Sequence, residues 1–423
     1  MTSVGVIGQS HLGFVTAAAI ASRGFAVVGF DTDSGLIENL QHGKSQIDEP
    51  GLVDLLKQVK PNLVFSDTPS DLRKCSVIFA ALDVVTDDKG QSNTESLESL
   101  IKVAMAHIND DAVLVIMSQV SPGFTRLINF DVRRLFYQVE TLIFGQAVER
   151  ATRPERFIVG CANPFTVLPT AYQSVLNSFG CPILPMRYES AELAKIAINV
   201  LLVASVTTAN TLAEICEHIG ADWMEIVPAL RLDKRIGNAS YIQPGLGIAG
   251  GNLERDLATV LKLSNEHSTE SSVVRAFLAN SLHRRDWVRS VIDAEPVLML
   301  DEACVAVLGL AYKENTNSTK NSQAVEFLFG WSPRLARVHD PLVRFPLIPG
   351  VVQCASASEA MNGADAVVIM TPWDEYRRIE PTQIAKNLRG RIVLDPYRVL
   401  NSEQVTKAGL RYYTLGMSMR DAK

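Results

Sequence analysis

The chain has little of what marks a metalloprotein or a disulfide-stapled one. Its six cysteines (75, 161, 181, 216, 304 and 354) are scattered, with no CxxC pair and no zinc-type spacing. That usage argues against a disulfide framework and fits a reducing, cytoplasmic compartment. The seven histidines include no HxxxH-like pair, so no metal site is expected. Charge of one sign is not concentrated anywhere. The formal net charge is −6, without a long run of either sign, which argues against a nucleic-acid partner. No apolar stretch reads as long and uninterrupted enough to span a bilayer. The first strand begins at Val4, leaving no room for a signal peptide.

What is present describes a packed protein of more than one domain. Hydrophobic residues make up 47% and charged ones 20%, in a chain of 423 residues that is too long for one ordinary core. Val4–Ile7 reads as a buried strand, Gly13–Ser22 as the helix after it, and Ala26–Phe30 as the next strand. Val77–Ala81 and Val113–Met117 continue the series, and Phe157–Val159 and Pro182–Pro185 read as short late strands. Strands alternating with helices imply a parallel, doubly wound sheet. Ser190–Ile219 has no Gly or Pro and reads as one long helix ending at Gly220. A second helical stretch is expected from Asp256 to Val291. The βαβ rhythm restarts with strand Cys304–Leu308, helix Ser322–Phe329 and strands Val367–Met370 and Ile392–Leu394. The fold class expected is α/β, with Rossmann-like N-terminal (1–185) and C-terminal (296–423) domains around a central helical domain (186–295) that forms a homodimer.

Gly8-Gln9-Ser10-His11-Leu12-Gly13 lies between the first strand and the first helix, where a G-x-G-x-x-G loop sits. Gly8 allows the tight turn and Gly13 the close helix–strand packing. Ser10 replaces the glycine that lets backbone approach a pyrophosphate. Asp31, ending the second strand, is placed to bind both ribose hydroxyls, which favours NAD over NADP.

Pro244-Gly245-Leu246-Gly247-Ile248-Ala249-Gly250-Gly251-Asn252-Leu253-Glu254-Arg255-Asp256 resembles the active-site loop P-G-x-G-(Y/F)-G-G-S-C-F-P-K-D of the UDP-glucose/GDP-mannose dehydrogenase family. Further segments resemble that family in the same order. They include Asp48-Glu49-Pro50-Gly51-Leu52, Ser118-Gln119-Val120-Ser121-Pro122-Gly123, Ala191-Glu192-Leu193-Ala194-Lys195-Ile196-Ala197-Ile198-Asn199, Arg235-Ile236-Gly237, Gly309-Leu310-Ala311-Tyr312-Lys313, His339-Asp340-Pro341 and Thr371-Pro372-Trp373. The resemblance implies an NAD-dependent oxidoreductase acting on a nucleotide-activated sugar. It implies catalytic roles for Lys195, Asn199, Asp256 and the water-handling Glu140. It implies that Gly8, Ser10, His11, Leu12, Gly13, Asp31 and Gln119 face the cofactor, and that Gly247, Arg235, Tyr241, Lys313 and Lys320 face the substrate. In dimers of the family the arginine matching Arg235 reaches the neighbouring subunit's site.

The departures cluster at the chemistry. Asn252 stands where the family keeps a nucleophilic cysteine, and a carboxamide is not a useful nucleophile. Gln119 replaces a threonine, Phe144 a second glutamate, and Leu82-Asp83-Val84-Val85 a V-P-T-P turn. The expectation is therefore an oxidation altered from the two-step route through a thioester. The competing expectation is a homologue that binds nucleotide sugar and NAD without turnover.

Overall fold

The computed structural model describes residues 2–422 apart from 46, 48, 88–91, 346 and 347. Asp48, the first residue of the Asp48-Glu49-Pro50-Gly51-Leu52 segment, therefore lies outside the described residues. The chain folds as two compact units, Met1–Ile198 and Asn199–Lys423.

The first unit is built on strands β1 (Ser3–Ile7), β2 (Ala26–Phe30), β3 (Leu63–Ser66) and β4 (Val77–Ala80). A small hairpin follows, β5 (Val85–Thr86) with β6 (Ser92–Asn93). Then come β7 (Val113–Ile116), β8 (Leu135–Gln138), β9 (Phe157–Cys161) and β10 (Ile183–Arg187). The eight-stranded sheet runs β10-β9-β8-β7-β4-β1-β2-β3. Its pairs are parallel except β8 with β9. Strands β4 and β7 are apolar at every position and buried throughout, because helices cover both faces. The chain order reverses between β1 and β4, so the loops after these two strands flank the crevice where open α/β sheets bind ligands.

The second unit repeats this plan in β11 (Cys304–Leu308), β12 (Leu335–His339), β13 (Val351–Gln353), β14 (Ala366–Ile369), β15 (Ile392–Leu394), β16 (Arg411–Thr414) and β17 (Met417–Arg420). Their order is β13-β12-β11-β14-β15-β16-β17, with the last pair antiparallel. The reversal lies between β11 and β14.

The α/β class with two Rossmann-like sheets and a helical region between them is as expected. The helical stretch expected from Asp256 to Val291 is corrected to three helices, Asn252–Glu266, Ser272–Arg285 and Trp287–Asp293. The first break falls at Ser268, whose φ of 53° is left-handed and cannot continue a right-handed helix. The two later helices meet at Asp286.

The helix Tyr188–Ile219 is 32 residues long and contains the boundary between the units. It leaves Leu193, Leu201, Leu212, Ile215 and Ile219 exposed. Spaced by steps that add up from threes and fours, these residues form a stripe along the helix. By length and composition alone this helix is apolar enough to cross a membrane, which corrects the reading that no stretch is. The same helix carries the buried polar residues Glu192, Asn199 and Asn210, each bonded within its own unit.

Candidate functional site

In the first unit the loop after β1 is shaped by its glycines. Gly8 has a φ of 87°, and a Cβ there would press on Leu82. A Cβ on Gly13 would lie 1.7 Å from the Gly8 carbonyl oxygen and 2.9 Å from that of Ala81. Only glycine lets the helix His11–Ala21 start this close to the strand ends. The amide of Gln9 donates to the Asp31 carboxylate at 2.6 Å, and Asp33 N donates to its other oxygen at 3.1 Å. Asp31 therefore stands at the end of β2 beside the loop. Asp31, Gly8, Gly13 and the helix N-terminus together make a cradle that fits a dinucleotide.

The side chains of Ser10 and His11 turn to protein partners. Ser10 Oγ accepts from the amide of Asp83 at 2.8 Å, and the Asp83 carboxylate accepts from Leu12 N at 3.2 Å. His11 Nε2 meets Glu49 at 2.8 Å, and its ring packs on Phe144 at 4.3 Å between centroids. The buried Glu49 also accepts from Gly145 N and Ala147 N. It thus ties the cofactor loop to the segment after β8.

Lys195 and Glu140 come together, with Nζ and Oε1 2.7 Å apart and the side chains only 11% and 13% exposed. The second oxygen of Glu140 accepts from Leu142 N at 2.9 Å, which fixes the carboxylate. The pair is mostly dry, so each charge depends on the other. One turn earlier on the same helix, Glu192 is fully buried. It accepts from Gly123 N at 2.5 Å and Thr125 N at 2.8 Å, pinning the loop that follows Gln119. Burial pushes its carboxyl above the usual glutamate range, and the bonds from that loop pull the other way. A cavity of about 50 Å³ behind this region is bordered by Thr16, Gln138, Glu140 and Arg150. It has room for water-sized molecules and none for a dinucleotide.

In the second unit the loop before the Asn252–Glu266 helix is held from several sides. The buried Asn210 accepts from Gly245 N at 2.8 Å, and Ser281 Oγ accepts from Ile248 N at 2.7 Å. Gly247 has a φ of 85°, and a Cβ would lie 2.4 Å from the Ser281 carbonyl oxygen. Gly250 N donates to the Lys320 carbonyl, and a Cβ on Gly251 would touch the Lys320 chain. Asn252 opens the helix and is exposed. Asn199 Nδ2 donates to Asp256 at 2.5 Å, both residues buried. Glu254 bonds Arg285 at 3.2 Å, yet burial still pushes its carboxyl up.

Around β11 the Asp340 carboxylate accepts from Leu310 N, Ala311 N, Leu342 N, Val343 N and Trp373 Nε1. It fixes the Gly309–Lys313 segment as Asp31 fixes the loop after β1. The Lys313 ammonium lies 5.6 Å from the Tyr312 ring centre. Trp373 is buried, in keeping with a core role. Arg235 and Tyr241 are exposed, and Arg235 pairs with Asp233 at 2.6 Å. Among the described residues no group of three His, Cys, Asp or Glu could hold a metal.

Sequence reasoning assigned no role to Glu49, Asp83, Glu192 or Asp340. For Asp340 a signal existed: it ends the second strand of its sheet, the place Asp31 takes in the first. For Glu192 the signal was an acid on the same helix as Lys195 and Asn199. For Asp83 there was only a polar residue where a proline-rich turn was expected.

Three models of one family match the chain. The UDP-glucose/GDP-mannose dehydrogenase family's NAD binding domain matches residues 2–175, its central domain 189–281 and its UDP binding domain 306–402. The UDP-glucose 6-dehydrogenase TuaD of Bacillus subtilis is 26% identical, over 98% of this chain and 93% of its own. The UDP-glucose 6-dehydrogenase AglM of Haloferax volcanii is also 26% identical, over 97% and 99%. Among solved structures, a UDP-glucose dehydrogenase from Pyrobaculum islandicum superposes with a TM-score of 0.85 at 24% identity, over 99% and 98%. The UDP-D-ManNAc dehydrogenase from Pyrococcus horikoshii gives 0.83 at 23%, over 98% and 99%. At such identities the structural likeness speaks for the fold.

Proposed function

The chain belongs to the UDP-glucose/GDP-mannose dehydrogenase family of NAD-dependent oxidoreductases, and on that footing we propose that it oxidises a UDP-activated sugar by a single hydride transfer, without a thioester. The observation that carries this reading is Asn252. It opens the Asn252–Glu266 helix directly after the glycine loop, where the sequence resemblance aligns it with the family's thiol. When bound, NAD supplies the hydride acceptor. The Glu140 carboxylate takes the proton leaving the carbinol oxygen, and the Lys195 ammonium stabilises the negative charge that develops on that oxygen. The ion pair at 2.7 Å supports this division of roles, because it sets the acceptor carboxylate and the ammonium side by side. Asn199 and Asp256 form a hydrogen-bonded pair suited to orienting the substrate. Gly247, Tyr241, Lys313 and Lys320 are assigned to the nucleotide sugar. Gln119, on the segment pinned by Glu192, is assigned to the cofactor side with Gly8, Ser10, His11, Leu12, Gly13 and Asp31.

The three-domain division 1–185, 186–295 and 296–423 is part of this proposal, supported by the bounds of the three family models. So is a homodimer through the Tyr188–Ile219 helix, whose exposed leucine and isoleucine stripe supports it. In such a dimer the exposed Arg235 is assigned to the partner's site. Six free cysteines suit a reducing, cytoplasmic setting. A monomer by light scattering at micromolar concentration contradicts the dimer.

Restoring the thiol tests the chemistry. Asn252→Cys is expected to shift product from aldehyde or ketone toward acid, read by mass spectrometry. An acyl adduct trapped on the unmodified protein contradicts the single-transfer reading. NAD binding without oxidation in either form favours the non-catalytic alternative.

A further inference from the structure

We propose that Asp83 is a built-in anion at the cofactor cradle and sets how tightly the protein holds the diphosphate of NAD. The inference rests on the NAD-binding reading of the first unit. Asp83 follows β4, across the switch point from the loop after β1. Its carboxylate accepts from Leu12 N at 3.2 Å, in the first turn of the 11-residue helix His11–Ala21. That end of the helix is where partial positive charge collects and where a dinucleotide places its pyrophosphate. The carboxylate is thus already seated on a donor that the cofactor's phosphate would use. A second bond locks it there, because Ser10 Oγ accepts from the Asp83 amide at 2.8 Å. Ser10 and Asp83 act as one clasp across the mouth of the crevice. Serine in place of the loop's middle glycine thereby acquires a physical role: its hydroxyl holds the competing carboxylate in position. Asp83 is exposed, so an arriving ligand meets its carboxylate directly.

A diphosphate must either displace this carboxylate or lie beside it, and like charges a few ångströms apart repel even in partly screened surroundings. Either route weakens binding of the charged part of the cofactor and leaves its nucleoside part untouched.

Calorimetry with NAD, ADP and adenosine on the full chain tests this, using wild type, Asp83→Asn, Ser10→Gly and the double variant. Asparagine keeps an oxygen for Leu12 N and removes only the charge. Asp83→Asn is expected to tighten NAD and ADP about tenfold, the step that 1.4 kcal/mol represents, and to leave adenosine within about twofold. It is also expected to lower the melting temperature slightly, because the helix loses an anionic partner at its positive end. Tighter binding with lower stability is a pairing that a merely structural residue would not give. Ser10→Gly is expected to tighten NAD as well, and the double variant by less than the product of the two, since both open one clasp. NAD binding unchanged or weakened in a folded Asp83→Asn protein overturns the proposal alone. Failure of every variant to bind NAD overturns the cofactor reading and the proposal with it.

Discussion

Replacing Gly13 by alanine tests the cofactor cradle at its narrowest point. The added Cβ would lie 1.7 Å from the Gly8 carbonyl oxygen and 2.9 Å from the Ala81 carbonyl oxygen. A carbon normally stays about 3.3 Å from such an oxygen, so the helix start must retreat by roughly 1.5 Å. Both clashing atoms are backbone, in the loop after β1 and at the end of β4, and neither can rotate away. Overpacking typically costs about 1–3 kcal/mol, and this site belongs at the upper end. For a unit of this size each kcal/mol shifts melting by about 2–4 °C, so the first unit is expected to melt roughly 6–12 °C lower. The retreat also carries the Leu12 amide away from the cradle, and NAD affinity is expected to fall more than about tenfold. Scanning calorimetry and NAD titration read the two effects. Gly24→Ala is the control. Its φ of 85° strains alanine, but nothing lies within 4 Å of the added carbon, so it should cost about 1–2 kcal/mol and leave NAD binding unchanged. If Gly13→Ala melts and binds NAD like wild type, the packing argument for this loop is wrong.

Removing one partner of the Lys195–Glu140 pair strands a mostly buried charge. Lys195→Met or Glu140→Gln alone is expected to destabilise by about 3–5 kcal/mol, the double change by less than their sum, as measured in a denaturant double-mutant cycle. If the protein turns over, Lys195→Ala should also cost about 10²–10³ in rate, and more than Asn252→Ala does. Glu192 gives a pH signature. Burial raises its folded pKa above the ordinary 4.5, so the unfolded chain ionises first as pH rises. The contribution is present below about 4.5 and is lost as pH climbs through the folded value. The stability difference between wild type and Glu192→Gln should therefore change over that window and level off above it, as read by melting at several pH values. Asp340→Asn puts an amide NH₂ among five donors, and a loss of about 3 kcal/mol in the second unit is expected, with weaker UDP binding by titration.

The strands were legible because parallel strands buried on both faces read as short apolar runs, as at Val77–Ala80 and Val113–Ile116. β1, β2, β11 and β15 were placed within a residue for the same reason. Leu63–Ser66 and Leu135–Gln138 were not named, being short and, for the first, partly exposed at a sheet edge. The breaks at Ser268 and Asp286 were missed because neither Gly nor Pro marks them. At the site, the close packing at Gly13 and the place of Asp31 beside the loop after β1 were legible because they follow from backbone geometry. The partners of Ser10 and His11 were not, because Asp83 and Glu49 lie far away in sequence and only folding brings them near.

The most direct test of the central claim is to incubate the purified protein with NAD and a panel of UDP-, GDP- and dTDP-sugars, weighing the products by mass spectrometry. Turnover of a UDP-sugar with loss of two hydrogens, the mark of one hydride transfer, is expected. Exchange of two hydrogens for one oxygen, the mark of alcohol carried to acid, would contradict it, as would NAD binding with no product from any sugar.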